Sequence, residues 1–354
     1  MTKQRDAWLD NAKGVLILMV VAGHLIAGLT DQAEWVWDLY LIINSSHMLL
    51  FTFLTGYLQK RRVEQKEYEK LVNRLLLPYL VLQFIYYLVI CINSVVSGKM
   101  ADGQSLQKLI WFRPIYLLWF LSTIFLCSII ASILPYKKHP VICLAGAYAV
   151  SWLCILLPEI SYLRLTKMMA YFAIYLTGCM FEKSWMMELR NNTKIRLASY
   201  LAVVLWWTSI VYFEPYIFKN VFAMATSYWN YPEQYQGLYG LLARPVFQML
   251  GMLFSLCFLA IMPRQKGIFT KLGQRSMYIF SLHGIVTLAL RSCSNHVFPI
   301  YQSINTMVEY AMFGVCIVAL TYFLASDFVY KLCRPVLEPD VDLVKLIGQL
   351  TKGK

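Results

Sequence analysis

The sequence predicts an all-α, polytopic integral membrane protein with about ten transmembrane helices, and three observations carry that reading. Only 14% of the 354 residues are charged and 59% are hydrophobic, whereas a soluble domain carries roughly a quarter charged residues. The mean hydropathy is +0.55. Apolar runs of about 17–25 residues, the length a bilayer requires, recur from one end of the chain to the other. Basic residues cluster in alternate connections between those runs. Backbone groups in lipid must satisfy one another, so the runs are helices. The alternating ten-residue strands of a membrane barrel are absent.

In order, the spans fall at 14–29, 40–58, 75–96, 115–134, 140–157, 165–181, 197–213, 238–262, 274–291 and 305–331. The first follows Lys3, Arg5 and Lys13 and lacks a small-residue cleavage site, so it is a retained helix, not a signal peptide. The second ends at Lys60, Arg61 and Arg62, and Lys66, Lys70 and Arg74 lead into the third. Lys137 and Lys138 follow the fourth span, and Lys183, Arg190, Lys194 and Arg196 follow the sixth. Arg264, Lys266, Lys271 and Arg275 follow the eighth, and Lys331, Arg334, Lys345, Lys352 and Lys354 close the chain. These inner segments hold 24 of the 32 basic residues and 11 of the 19 acidic ones, so the whole net charge of +13 lies on one side. That asymmetry is the positive-inside pattern and puts both termini in the cytoplasm. It accounts for the basic composition without nucleic acid. A cationic inner face suits anionic lipid and equally an anionic cytosolic ligand.

The chain reads as one transmembrane domain, 1–335, with a cytoplasmic tail at 336–354. The loop KRRVEQKEYEKLVNR (60–74) reads as a short amphipathic helix, and the sequon at Asn191 falls inside, where it is not glycosylated. Nine cysteines are scattered with no CxxC pair, so neither a disulfide framework nor a metal site is expected.

Ionisable residues at membrane depth are expensive and usually functional. Here they are His24, His47, His283 and Arg244, with no carboxylate in the middle of any span. Lys13 and His24 are eleven residues apart, a net rotation of roughly 20° on a helix, and Asp10 lies about 40° off the same line. One face therefore carries a carboxylate and a cation at the inner boundary and an imidazole about 16 Å deeper. Histidine titrates near neutral pH unaided and can take a proton from a hydroxyl; a structural histidine bonded to a neighbouring helix is the alternative. Gly273 to His283 repeats the ten-residue spacing of Gly14 to His24 on a helix of the same direction, so the two histidines should lie at similar depth. Asn44 and His47 lie in the outer half of the second span, where they suit a polyol entering from outside or a polar helix contact. Arg61, Lys70 and Arg74 suit phosphate or simply a solvated inner loop. Arg113 and Trp119 stand at the outer end of the fourth span. The outer segment 213–237 is rich in aromatic residues, which can stack on sugar rings or anchor the interface.

Taken together, these segments resemble the acyltransferase-3 family of bacterial membrane O-acyltransferases, in its fucose 4-O-acetylase-like branch. Lys13 and His24 match a basic residue separated by ten residues from a histidine; HMLLFTFLTGYL (47–58), RLLLPYL (74–80), LLWFL (117–121) and SMYIFSLHG (276–284) are similar to further motifs, in order. Lysine at position 13, where many members carry arginine, and Leu49, Thr52 and Thr55 depart from the usual pattern. The resemblance implies that an acetyl group passes from cytosolic acetyl-CoA to a hydroxyl of a cell-surface or lipid-linked polysaccharide. His24 would be the catalytic base, supported on its face by Lys13 and Asp10. Lys13, Arg61, Lys70, Arg74 and Ser276 would hold acetyl-CoA, and Asn44, His47, Arg113, Trp119 and His283 would hold the acceptor. The expected partners are membrane lipid and the glycan, with no nucleic acid and no metal, in the bacterial cytoplasmic membrane. A transporter or flippase of a lipid-linked glycan is the competing reading.

Overall fold

The computed structural model describes residues 5–96, 113–160, 162–212, 228, 233, 237–296 and 300–341. Among them the regular structure is entirely helical. The helices are α1 (Ala7–Ile26), α2 (Glu34–Asn44), α3 (His47–Glu64), α4 (Tyr68–Leu71), α5 (Leu77–Val96), α6 (Trp119–Ile133), α7 (Pro140–Leu153) and α8 (Leu165–Met180). They continue with α9 (Lys183–Asn191), α10 (Thr193–Tyr212), α11 (Leu238–Ile261), α12 (Ile268–Gln274), α13 (Ser276–His296), α14 (Met307–Leu324) and α15 (Asp327–Leu337).

Seven helical stretches among the described residues are long and apolar enough to cross a membrane: Ala7–Ile26, Glu34–Glu64, Tyr68–Val95, Tyr116–Ile133, Thr193–Tyr212, Gly240–Ile261 and Met307–Leu324. The remaining three expected spans are shorter. Pro140–Leu156 and Ser276–Arg291 are short apolar helices, and α8 has 16 residues, about 24 Å of helix. Most of α8 is buried, so neighbouring helices rather than lipid satisfy its surroundings.

Four expected elements fold differently. The second span breaks at Ser45–Ser46, where Ser45 turns its hydroxyl onto the Ile42 carbonyl and competes with helix continuation. The amphipathic helix expected at 60–74 does not form. Lys60–Glu64 finish α3, Lys66 reverses the chain with φ 52°, and a π-helical turn, Val72–Leu76, carries Arg74 into α5. The ninth span is preceded by the separate helix α12, with the break at Arg275. The last span, expected at 305–331, ends at Leu324, and Ser326 caps α15 by accepting from the Val329 amide.

Glycines set the two closest helix crossings. A Cβ on Gly56 would lie 2.1 Å from the Tyr175 carbonyl oxygen, and one on Gly178 2.1 Å from that of Phe53, so α3 and α8 meet backbone to backbone. Gly273 abuts the Asp10 carbonyl and Gly14 that of Phe269. As positions advance along α1 they retreat along α12, so the two helices run antiparallel. Small residues permit such close approach in membranes, where apolar burial alone does not drive association. Polar side chains add to it: Ser128 and Tyr175 both donate to Gln59 Oε1, at 2.9 and 3.0 Å. Of the aromatic-rich outer segment 213–237 only residues 228, 233 and 237 are described, and the tail beyond 341 lies outside the described residues.

Candidate functional site

The site is strung along α1. At its basic end, Asp6 caps the helix by accepting from the Trp8 amide, and Trp8 and Asn11 fasten the turn before α12. Trp8 Nε1 donates to the Leu259 carbonyl, and Asn11 Nδ2 donates to those of Pro263 and Gln265. Thr270 donates to Asn11 Oδ1. This clasp puts Asp10, 4% exposed, beside Lys13, whose Nζ lies 2.7 Å from Asp10 Oδ1. Gln274 donates to the other carboxylate oxygen at 3.3 Å. Lys13 therefore points along its own helix to Asp10, about 16 Å from His24 by helical rise. The two therefore make no direct contact. Ser276, partly buried, opens α13 just beyond Gln274.

Near the other end of α1, side chains from three segments meet at His24. Tyr116 places its hydroxyl 3.3 Å from His24 Nδ1 and its ring edge-on to the imidazole at 5.4 Å. The His283 ring lies 5.6 Å away. The two glycines of the matched spacing do not face each other, since Gly14 meets Phe269 and Gly273 meets Asp10; the histidines nevertheless meet. Arg291 Nη2 donates to the His24 main-chain carbonyl at 3.1 Å, and its guanidinium stands 5.6 Å over the Tyr116 ring.

His283 is fully buried. Its Nδ1 is 2.9 Å from the Ile279 carbonyl, an oxygen that can only accept, so Nδ1 carries the hydrogen and the neutral ring presents Nε2 as a lone pair. That Nε2 has no partner among the described residues. His47, the first residue of α3, likewise turns Nδ1 to the Ile43 carbonyl. His24, by contrast, is only partly buried. His283 and Arg291 thus contact His24 directly, at its ring and at its main-chain carbonyl.

The other expected contacts are dispersed. Trp119 joins the site through Lys167, whose Nζ lies 4.2 Å above its ring. Asn44 donates back to the Tyr40 carbonyl of its own helix. Arg113 is exposed and contributes its main-chain carbonyl to Gln83. Arg61 donates to Gln65 and Lys70 to Glu67, both at the surface. Arg74 is exposed on the π turn. Arg244 is buried elsewhere, donating to Cys154 Sγ.

Three residues of the cluster escape sequence reasoning. Tyr116 looks like a membrane-interface aromatic, and nothing in sequence foretells its left-handed backbone, φ 49°. Lys167 and Arg291 fall at the edges of expected spans, where a cation reads as a topology anchor; a cation just inside an apolar run was the available signal.

A family profile described as an acyltransferase domain matches residues 6–326. The chain belongs to that family. The match runs from the cap of α1 to the cap of α15 and takes in the His24 cluster and the Asp10–Lys13 pair. Among curated proteins, the chain is similar to the nodulation protein NolL of Mesorhizobium japonicum, 37% identical over 86 residues, covering 22% of this chain and 23% of that protein. It is also similar to the nodulation protein NolL of Sinorhizobium fredii, 24% identical over 240 residues, covering 61% of this chain and 60% of that one. The chain thus spans less than two thirds of the length of either relative. No solved structure matches it.

Proposed function

We propose that the protein is a membrane O-acyltransferase that moves an acetyl group from acetyl-CoA, entering at the basic end, to a hydroxyl of a glycan or lipid-linked glycan entering from the other end. The observation that carries this reading is the placement of His24. It is a partly accessible imidazole, oriented by Tyr116 and backed by His283, on the same helix as the Asp10–Lys13 pair. The positive-inside pattern supports a cytoplasmic basic end and cytoplasmic termini, on the side where acetyl-CoA is made, and the proposed setting is a bacterial plasma membrane.

In the proposed reaction Lys13, Arg74 and Ser276 would hold the CoA phosphates and the thioester would reach His24 along α1. With Tyr116 accepting from His24 Nδ1, Nε2 is free to take the acceptor proton as its oxygen attacks the thioester carbonyl carbon. The C–S bond breaks, the CoA thiolate leaves, and the proton on His24 returns to it. Water excluded from the bundle interior strengthens each of these interactions. Proton relays in transporters are commonly built from buried carboxylates, and the spans lack them at mid-depth, which weighs against a proton-coupled transporter.

The test is acetyl release from labelled acetyl-CoA by purified protein, in the presence and absence of cell-surface glycan. His24→Ala should reduce it by at least 10²-fold, the lower range for a general base. Retained turnover in that variant would remove His24 from the mechanism.

A further inference from the structure

We infer that the acceptor carries a negative charge, a sugar carboxylate or phosphate, and that Arg291 and Lys167 hold it beside His24; the inference rests on the acyl-transfer reading above and names its second substrate. Both cations stand on the aromatic residues of the segment that faces the imidazole: Arg291 lies 5.6 Å over the Tyr116 ring, and Lys167 sits on Trp119, three residues further along. Arg291 comes from the far end of α13 and is fixed on the His24 carbonyl at 3.1 Å. Lys167 comes from the start of α8 and rests its ammonium on the Trp119 ring at 4.2 Å. Among the described residues neither forms a salt bridge. Glu159, the carboxylate that acts on Lys167, is itself paired with Arg164.

Two cations therefore flank the His24 cluster with no ion-pair partner of their own among the described residues. An uncompensated charge inside a bundle is unfavourable, and such charges persist where a ligand meets them. The oxyanion of the transfer reaction exists only fleetingly and cannot stabilise the resting arrangement. The CoA phosphates belong at Lys13, on the order of 16 Å along the helix. A permanent anion on the acceptor is what remains. The guanidinium fork suits a planar carboxylate or a phosphate face. Aromatic faces around it (Tyr116, Trp119, and Tyr40 and Tyr301, on which Arg291 also acts) suit a sugar ring.

The test measures binding directly. Full-length protein in nanodiscs is titrated calorimetrically with methyl glucoside, methyl glucuronoside and glucose 6-phosphate, alongside acetyl-CoA turnover. At least one anionic sugar should bind roughly tenfold or more tightly than the neutral one, the scale of a charge-assisted hydrogen bond. Which anionic sugar wins distinguishes carboxylate from phosphate. Arg291→Gln and Lys167→Gln should each erase most of that preference, and Arg291→Lys should retain part of it. Equal binding of all three sugars, no binding of any, or variants that weaken neutral and anionic sugars alike would overturn the inference. Absent turnover with selective anion binding would instead sink the acyl-transfer reading and leave the anion subsite standing.

Discussion

Tyr116 holds its hydroxyl 3.3 Å from Nδ1 of His24 while its own backbone sits at φ 49°. A bulky residue in the left-handed region is strained by about 1–3 kcal/mol, and such strain gathers at functional sites. Among the described residues no carboxylate contacts His24, and the Tyr116 phenol is the side chain that meets its Nδ1. Tyr116→Phe should lower acetyl-CoA turnover about tenfold, the scale of one hydrogen bond to a reacting group. KM for acetyl-CoA should change little.

Asp10 and Lys13 test the difference between a buried pair and a broken one. Lys13→Met leaves the Asp10 carboxylate, 4% exposed, without its ammonium. That should cost stability, although less than the about 3–5 kcal/mol of a fully buried pair, because Lys13 retains some solvent. Adding Asp10→Asn should restore much of the melting temperature. Neither variant should restore affinity for acetyl-CoA, so thermal unfolding and KM should separate. If the double variant is the less stable, the pair is not the reason for the loss.

Glycine substitutions should sort by backbone approach. Alanine at Gly56, Gly178 or Gly273 puts a Cβ within 2.1 Å of a facing carbonyl oxygen, and overpacking costs about 1–3 kcal/mol or more where backbone must move. Gly146 and Gly314 have nothing within 4 Å, and their alanine variants should be neutral to slightly stabilising, since alanine favours helix. Melting temperatures in detergent decide this.

The α15 helix is tied to the basic end through Asp327, which meets Lys271 at 3.4 Å and Arg275 at 2.7 Å. The hydrogen bond and charge of Lys271, then those of Arg275, hold the Asp327 carboxyl below its usual range. A lowered carboxyl contributes attachment that is present above the unfolded pKa of about 3.9 and lost as pH falls further. Hydrogen exchange over 327–337, corrected for its intrinsic pH dependence, should therefore be unchanged from pH 8 to pH 5 and quicken only below about pH 4. Asp327→Asn should quicken it at neutral pH. An onset near pH 6 would assign the attachment to another group.

How much of this was legible in advance follows from what each feature depends on. The depth of His24 and the helix beneath it follow from the run GVLILMVVAGH, because lipid forces a helix on any such run. The basic end follows from where lysine and arginine fall. The breaks at Ser45, Arg275 and Ala325 were not legible, because a hydroxyl or a tight turn inside an apolar run is tolerated or not according to neighbours that local sequence does not name. Arg61 and Lys70 read as phosphate ligands or as a solvated inner loop, and their surface contacts to Gln65 and Glu67 depend on where the chain turns after α3.

The sequence by itself determined a membrane-embedded helical chain, its cationic side and an imidazole on the first helix, since hydropathy, charge and helical period act locally. Only the tertiary structure decided that Tyr116, His283, Arg291 and Lys167, from three other segments, would surround that imidazole. It also decided that Lys13 would face Asp10 and that α12 would fold back along α1. Those outcomes depend on which helices can approach closely enough to touch, and that is set by glycines such as Gly14 and Gly273 acting on partners about 260 residues away in the chain.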